Sequence, residues 1–199
     1  MNTWSTGAMR SSFEQVPQAY IRIGGILYLA IIVLGIFGEL FVRGSLVIAG
    51  DALATANNIS ASQQLWRLGI VGDLSMHVLD IPVIVVFYSL LRRVSKSLSV
   101  MVVYANLVQT CVLVSNKLSL VLPILLLSDT GYLDSIAIEQ RQAFALLAVN
   151  VHGFGFGIGL IFFGIACALK GYLMLRADYL PKLTGALFLR WLHSYFLKF

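Results

Sequence analysis

The 199-residue chain is 59% hydrophobic and 12% charged, with a mean hydropathy of +0.88, a net charge of +5 and a pI near 9.4. Soluble domains carry about twice that charged fraction, so composition excludes a soluble globular protein and indicates an all-α integral membrane protein. Nucleic acid is not an expected partner. The densest basic run is Arg92-Arg93 with Lys96 nearby, short of the clusters that such binding requires, and cytoplasm-facing loops account for the basic balance more simply.

In chain order, the first apolar segment runs from Arg22 to Arg43 ("IGGILYLAIIVLGIFGELFV"). A secretory signal peptide followed by "ALATA" as a cleavage site is the competing reading, but the apolar stretch exceeds the usual ~7–15 residues. The connector 44–66, "GSLVIAGDALATANNISASQQLW", is too long for a bare turn. Asp51 is expected to cap a short helix through Ile59, and Ser62 to cap the entry into the next span. Such a helix lies on the membrane surface or folds over the bundle mouth, the alternative being a solvated link. Asn58-Ile59-Ser60 matches a glycosylation acceptor, a pattern too short to carry weight.

Three further apolar segments follow, at about 67–91, 98–127 and 142–175. Each exceeds the ~20 residues that cross the hydrocarbon, and the fourth is long enough to tilt or to extend past it. Cys111 and Cys167 fall inside spans and read as small packing residues. After Pro181, residues 183–199 read either as an interfacial amphipathic helix anchored by Trp191 and Tyr195 or as a fifth span cut short, interrupted by Arg190, His193 and Lys198. The expectation is a polytopic transmembrane helical bundle in one membrane domain: four full spans plus an incomplete fifth or interfacial helix.

Basic residues set the orientation. Arg10, Arg22, Arg92, Arg93, Lys96, Lys170, Arg176 and Lys182 fall on one side of this topology, against Arg43, Arg67 and Arg141 on the other. Eight against three places the N-terminus in the cytoplasm of a bacterial cell membrane. The lipid bilayer is the expected surrounding, with a second copy or another membrane protein as partner.

The second span contains "GDLSMHVLDIPV", residues 72–83. At 100° per residue, Asp73, His77 and Asp80 share a stripe about 60° wide. An Asp at mid-membrane costs ~2.5–3.5 kcal/mol, and each large aliphatic returns only ~0.3–0.6, so the stripe must face protein or water. Counted at about 1.5 Å per residue, His77 lies about 15 Å from the outer end, level with Lys117 and His152. Glu39 and Asp73 lie further out, and Asp80 one turn further in. Asn106, Thr110, Leu113 and Lys117 share a face of span three, flanked by Gln109 and Asn116. In "NVHGFGFGIGLIFFG", Gly155 and Gly159 lie on the His152 side, while Gly153, Gly157 and Gly164 lie on the Asn150 side. Two faces of small residues suggest close packing on both sides of span four.

Lys117 is expected to pair with Asp73 or Asp80, and Glu39 with Arg43 at the interface. Glu39, Asp73, His77, Asp80, Asn116, Lys117, Asn150 and His152 therefore form either a packing charge network or a site for a proton, ion or small polar ligand. A membrane enzyme is the weaker reading. It would use His77 and His152 as axial haem ligands, or with Asp73 or Asp80 as zinc ligands. Lys117 as ammonium would repel a metal, no HExxH pattern occurs, and no cofactor is expected. A structural or assembly subunit is the third class.

Several blocks in order, "RIGGILYLAIIVLGIFGELFVRGSLV", "GDALATANNI", "WRLGIVGDL" and "GIGLIFFGIACALKGYLMLRADYLPKLTG", resemble a bacterial family of uncharacterised integral membrane proteins, domain of unknown function 4386. The resemblance covers residues 20–188. It implies a multi-helix membrane fold, usually of about six spans, and no activity. The tail from Leu189 departs from it, which points to truncation or alteration there.

Overall fold

Apolar runs of this length leave the backbone no hydrogen-bond partner but itself, which makes helices the only open-ended solution in lipid. The computed structural model, which describes residues 18–129, 131–177, 182–183 and 185–188, has four helices long and apolar enough to cross a membrane. They are α1 (Gln18–Leu46), α3 (Gln63–Leu91), α4 (Lys96–Leu126) and α5 (Ile138–Arg176), with the short α2 (Ala52–Ala61) between the first two. The protein is a multi-pass, all-α membrane bundle. The readings for residues 189–199 lie outside the described residues, as does Arg10.

Each span packs chiefly on the one that follows, α1 on α3, α3 on α4 and α4 on α5, all antiparallel as their pairings below show. Lipid offers apolar side chains no incentive to leave it, so close approach at small residues holds the helices together. A methyl added at Gly24 would sit 2.8 Å from Val86 Cγ1, and one at Gly69 2.9 Å from Val42 Cγ1. One at Gly159 would sit 2.5 Å from Leu113 Cδ2. Gly155 lies against the Asn116 side chain in the same way. Helix α5 has 44% of its most apolar window buried against 11% for α1, which makes α5 the central span and α1 a lipid-facing one.

The connector is mostly helical. Gly50, at φ +78°, turns the chain out of α1, a backbone conformation that costs glycine nothing. Asp51 then caps α2, accepting a hydrogen bond from the Ala54 amide at 2.8 Å. Ser62 occupies the junction with α3, but its side chain makes no capping bond, correcting that expectation. Helix α2 folds over one mouth of the bundle, with Thr55, Ala56 and Ile59 buried. Thr55 Oγ1 accepts from the Ile48 amide and donates to the Ile48 carbonyl, and Asn58 Nδ2 donates to the Leu46 carbonyl at 3.2 Å.

Two apolar clusters close the ends of the bundle. Val42, Ile59, Trp66 and Leu120 belong to the one beneath α2, where Trp66 Nε1 donates to the Leu120 carbonyl at 2.9 Å. Val86, Leu91, Val102 and Leu173 belong to the one at the opposite end. This second cluster also receives Phe188, and Gly185 is buried against Gly171 and Leu175. Polar residues lie between the two clusters.

Candidate functional site

Two spans leave α-helical geometry where they deliver charge. In α1 a π-helical turn covers Phe37–Arg43, and the Gly44 amide bonds five residues back to the Glu39 carbonyl. In α4 the Lys117 amide bonds to the Val114 carbonyl and the Leu120 amide to the Lys117 carbonyl, each at 3.0 Å, a tightened 3₁₀-like turn. Pro123 follows within the same helix. Such local departures recur at functional sites, and here they bring Arg43 and Lys117 to one carboxylate.

That carboxylate is Asp73, 1% exposed on α3. Arg43 Nη1 donates to Oδ2 at 2.7 Å and Nη2 to Oδ1 at 3.4 Å, while Lys117 Nζ donates to Oδ2 at 2.9 Å. Arg43 Nε donates to Glu39 Oε2 at 2.8 Å. The order Glu39–Arg43–Asp73–Lys117 alternates sign and joins three helices. Gly38 makes the approach possible, because a methyl there would meet Asp73 Oδ1. Of the two carboxylates open to Lys117, Asp73 receives it. Glu39 does pair with Arg43, but Arg43 is 9% exposed and buried against Asp73, correcting its place among the loop charges.

Beside this knot, Asn116 Nδ2 donates to the His152 carbonyl at 2.8 Å and lies 3.0 Å from His152 Nδ1. The pair ties α4 to α5 next to Lys117. One turn further along α3, His77 Nδ1 lies 3.1 Å from Asp80 Oδ2, which also accepts from Thr110 Oγ1 at 3.4 Å. His77 is 2% exposed, and its Nε2 has no hydrogen-bond partner among the described residues. The Asp80 side chain retains 19% exposure, so this group is not sealed.

A turn further along α4, Asn106 Oδ1 accepts from Lys170 Nζ at 3.0 Å. The ammonium sits 4.7 Å from the centre of the Phe87 ring, with Phe163 at 5.8 Å and Phe188 at 6.0 Å. Ring faces attract a cation, and these stand in for water around a lysine that is 3% exposed. Lys170 is therefore buried among the helices within α5 and is not a loop charge, another correction to the orientation count. An isolated lysine within "IACALKGYLML" was the available signal.

The predicted residues thus separate. Glu39, Asp73 and Lys117 meet in the knot with Arg43; Asn116 and His152 adjoin it; His77 and Asp80 form their own group with Thr110. Asn150 stays out of all three, exposed on the opposite side of α5, because His152 two residues away already fixes which side faces α4. Of the glycines on that side, Gly153 has nothing within 4 Å of an added methyl, while Gly157 is half-buried and Gly164 buried. His77 and His152 turn their Nδ1 atoms to different partners, Asp80 and Asn116. No group of three His, Cys, Asp or Glu side chains able to hold a metal occurs among the described residues.

Fold and site together define a multi-pass helical membrane protein with polar groups stacked between its spans. The chain belongs to the family whose model is described as Domain of unknown function (DUF4386), matched over residues 23–197. It matches no curated protein and no solved structure.

Proposed function

We propose that this is a polytopic protein of the bacterial cytoplasmic membrane, N-terminus inside, in which His77, Asp80 and Thr110 form a water-reached site for a proton, ion or small polar ligand. The Asp73 knot holds the helix register around it. The observation that supports this reading is the Nε2 of His77, buried and without a hydrogen-bond partner among the described residues. Leaving a buried polar atom unpaired costs ~1–3 kcal/mol, and a network serving packing alone would close its bonds as Asp73 does. Beside that atom Asp80 stays partly open.

The haem and zinc readings have less support, since Asp73 is engaged by two cations and the two imidazoles by different partners. With Arg43 and Lys170 removed from the loops, Arg22, Arg92, Arg93, Lys96, Arg176 and Lys182 still outweigh Arg67 and Arg141, which supports the orientation. A second copy of the chain is the proposed neighbour for the exposed Asn150–Gly153 side of α5.

Water-edited ¹⁵N spectra of histidine-labelled protein in lipid vesicles test the site. His77 should receive magnetisation from water, and His152 should not. A dry His77 would leave only a packing network.

A further inference from the structure

We infer that Lys170 is a positioning residue of the His77–Asp80–Thr110 site, its buried ammonium setting how tightly Asp80 binds a proton without bonding to the carboxylate. This inference rests on the proposed water-reached site and adds the charge that governs it. Helix α4 sets the spacing. Thr110 donates to Asp80 Oδ2, and Asn106, one turn away on the same face, accepts from Lys170 Nζ. On α3, Phe87 follows Asp80 by seven residues, two turns along one face, and its ring centre lies 4.7 Å from Nζ. Lys170 is therefore held about one helical turn beyond Asp80, on the side away from the Asp73 knot.

The two form no ion pair among the described residues, because Nζ is engaged by Asn106 and by ring faces. They interact instead through the field between them. Phe87, Phe163 and Phe188 stand around the ammonium, so little water screens that field. Unit charges ~6–8 Å apart at an effective dielectric of ~20 change each other's proton affinity by roughly 30- to 100-fold.

Few other groups compete for this role. His77 lies against Asp80 on its own helix. Tyr28 of α1 interacts electrostatically with Asp80 and Cys167, and Lys170 interacts with the same two groups from α5. Helix α4 contributes the uncharged Thr110 and Asn106. Tyrosine and cysteine carry positive charge in no state, and Arg43 and Lys117 are engaged by Asp73. Positive charge at this level comes from Lys170, and from His77 whenever its ring is protonated. Exposure then divides the roles. The Asp80 side chain keeps 19% exposure, against 3% for Lys170, so Asp80 exchanges protons with water while Lys170 supplies a fixed bias.

The full chain, ¹³C-labelled at the aspartate carboxyls and reconstituted in lipid vesicles, is titrated with pH. The Asp80 resonance is assigned by its loss in Asp80→Asn. Lys170→Met should make Asp80 hold its proton at least tenfold more tightly, because a nearby cation favours the ionised carboxylate. Lys170→Arg should return the midpoint to within threefold of the unsubstituted chain, and the Asp73 resonance should stay in place in both variants. Where Lys170→Met does not fold, the unsubstituted chain decides. Its ¹⁵N Nζ resonance in contact with ¹³C-phenylalanine rings should be that of an ammonium at neutral pH and should shift as Asp80 titrates. An Asp80 midpoint unmoved by Lys170→Met, or displaced equally in Lys170→Arg, would overturn the role of Lys170 while leaving the site standing. So would a neutral-amine Nζ, or one that ignores the Asp80 titration. An Asp80 that does not titrate beside a dry His77 would overturn both.

Discussion

Asp73 accepts from two cations on two other helices, and its removal should cost more than the removal of either cation. Asp73→Asn leaves Arg43 and Lys117 close together and buried without their common counter-charge, and uncompensated buried charge costs ~3–5 kcal/mol. Lys117→Met leaves Asp73 still bound to Arg43, so its loss should be nearer the ~1.5–3 kcal/mol of one charged hydrogen bond. Glu39→Gln should change stability by less than ~1 kcal/mol, because that side chain is 63% exposed. Unfolding titrations in mild detergent give this order, and an Asp73→Asn variant as stable as Lys117→Met would contradict it. Asp73, His77, Asp80 and Lys117 were legible as inward residues because each interrupts an apolar run at a cost that lipid does not refund. Arg43 and Lys170 lie near the ends of their runs, where a basic residue is usually a loop charge, so their burial was not legible.

Between helices, what decides packing is where a neighbour comes closest. A methyl at Gly155 would overlap Asn116, and one at Gly159 would crowd Leu113, whereas one at Gly153 meets nothing within 4 Å. Gly155→Ala and Gly159→Ala should therefore destabilise by ~1–3 kcal/mol, as overpacking does, and Gly153→Ala should stay within ~0.5 kcal/mol. Thermal unfolding of the three variants in one detergent checks this, and equal losses at all three positions would refute it. Periodicity showed two glycine faces but not which one meets α4, since that depends on the positions of neighbouring helices. The π-helical turn at Phe37–Arg43 was invisible for a similar reason. An extra residue in a turn rotates every side chain beyond it, and here it swings Arg43 onto Asp73. The cap at Asp51 was readable because it depends on local chemistry alone.

At the scale of the molecule, the polar groups form a column from Arg43 and Asp73 through His77, Asp80 and Thr110 to Asn106 and Lys170. Along α4 the column runs from Lys117 to Asn106, about 16 Å at ~1.5 Å per residue, roughly half of the ~30 Å hydrocarbon thickness. The class of protein, its four spans and the inward stripe were readable from composition and period. The division of the stripe into a closed knot and an open group required the register between helices. Orientation is testable on the exposed residues Ser97 and Ser135 after exposed Cys111 and buried Cys167 are replaced by serine. A single cysteine at 135 should react with an impermeant maleimide added to whole cells, one at 97 only after permeabilisation, and the reverse pattern would invert the topology.

The central claim is that α1, α3 and α4 meet at Asp73 through opposite charges while Asp80 stands apart from them. Two double-mutant cycles in the same detergent, Lys117→Met with Asp73→Asn and Lys117→Met with Asp80→Asn, measure this by unfolding free energy. The Asp73 double variant should lose less than its single variants combined, with a coupling above ~1 kcal/mol, while the Asp80 cycle should be additive within ~0.5 kcal/mol. Additive losses in the Asp73 cycle, or coupling to Asp80 instead, would contradict the account.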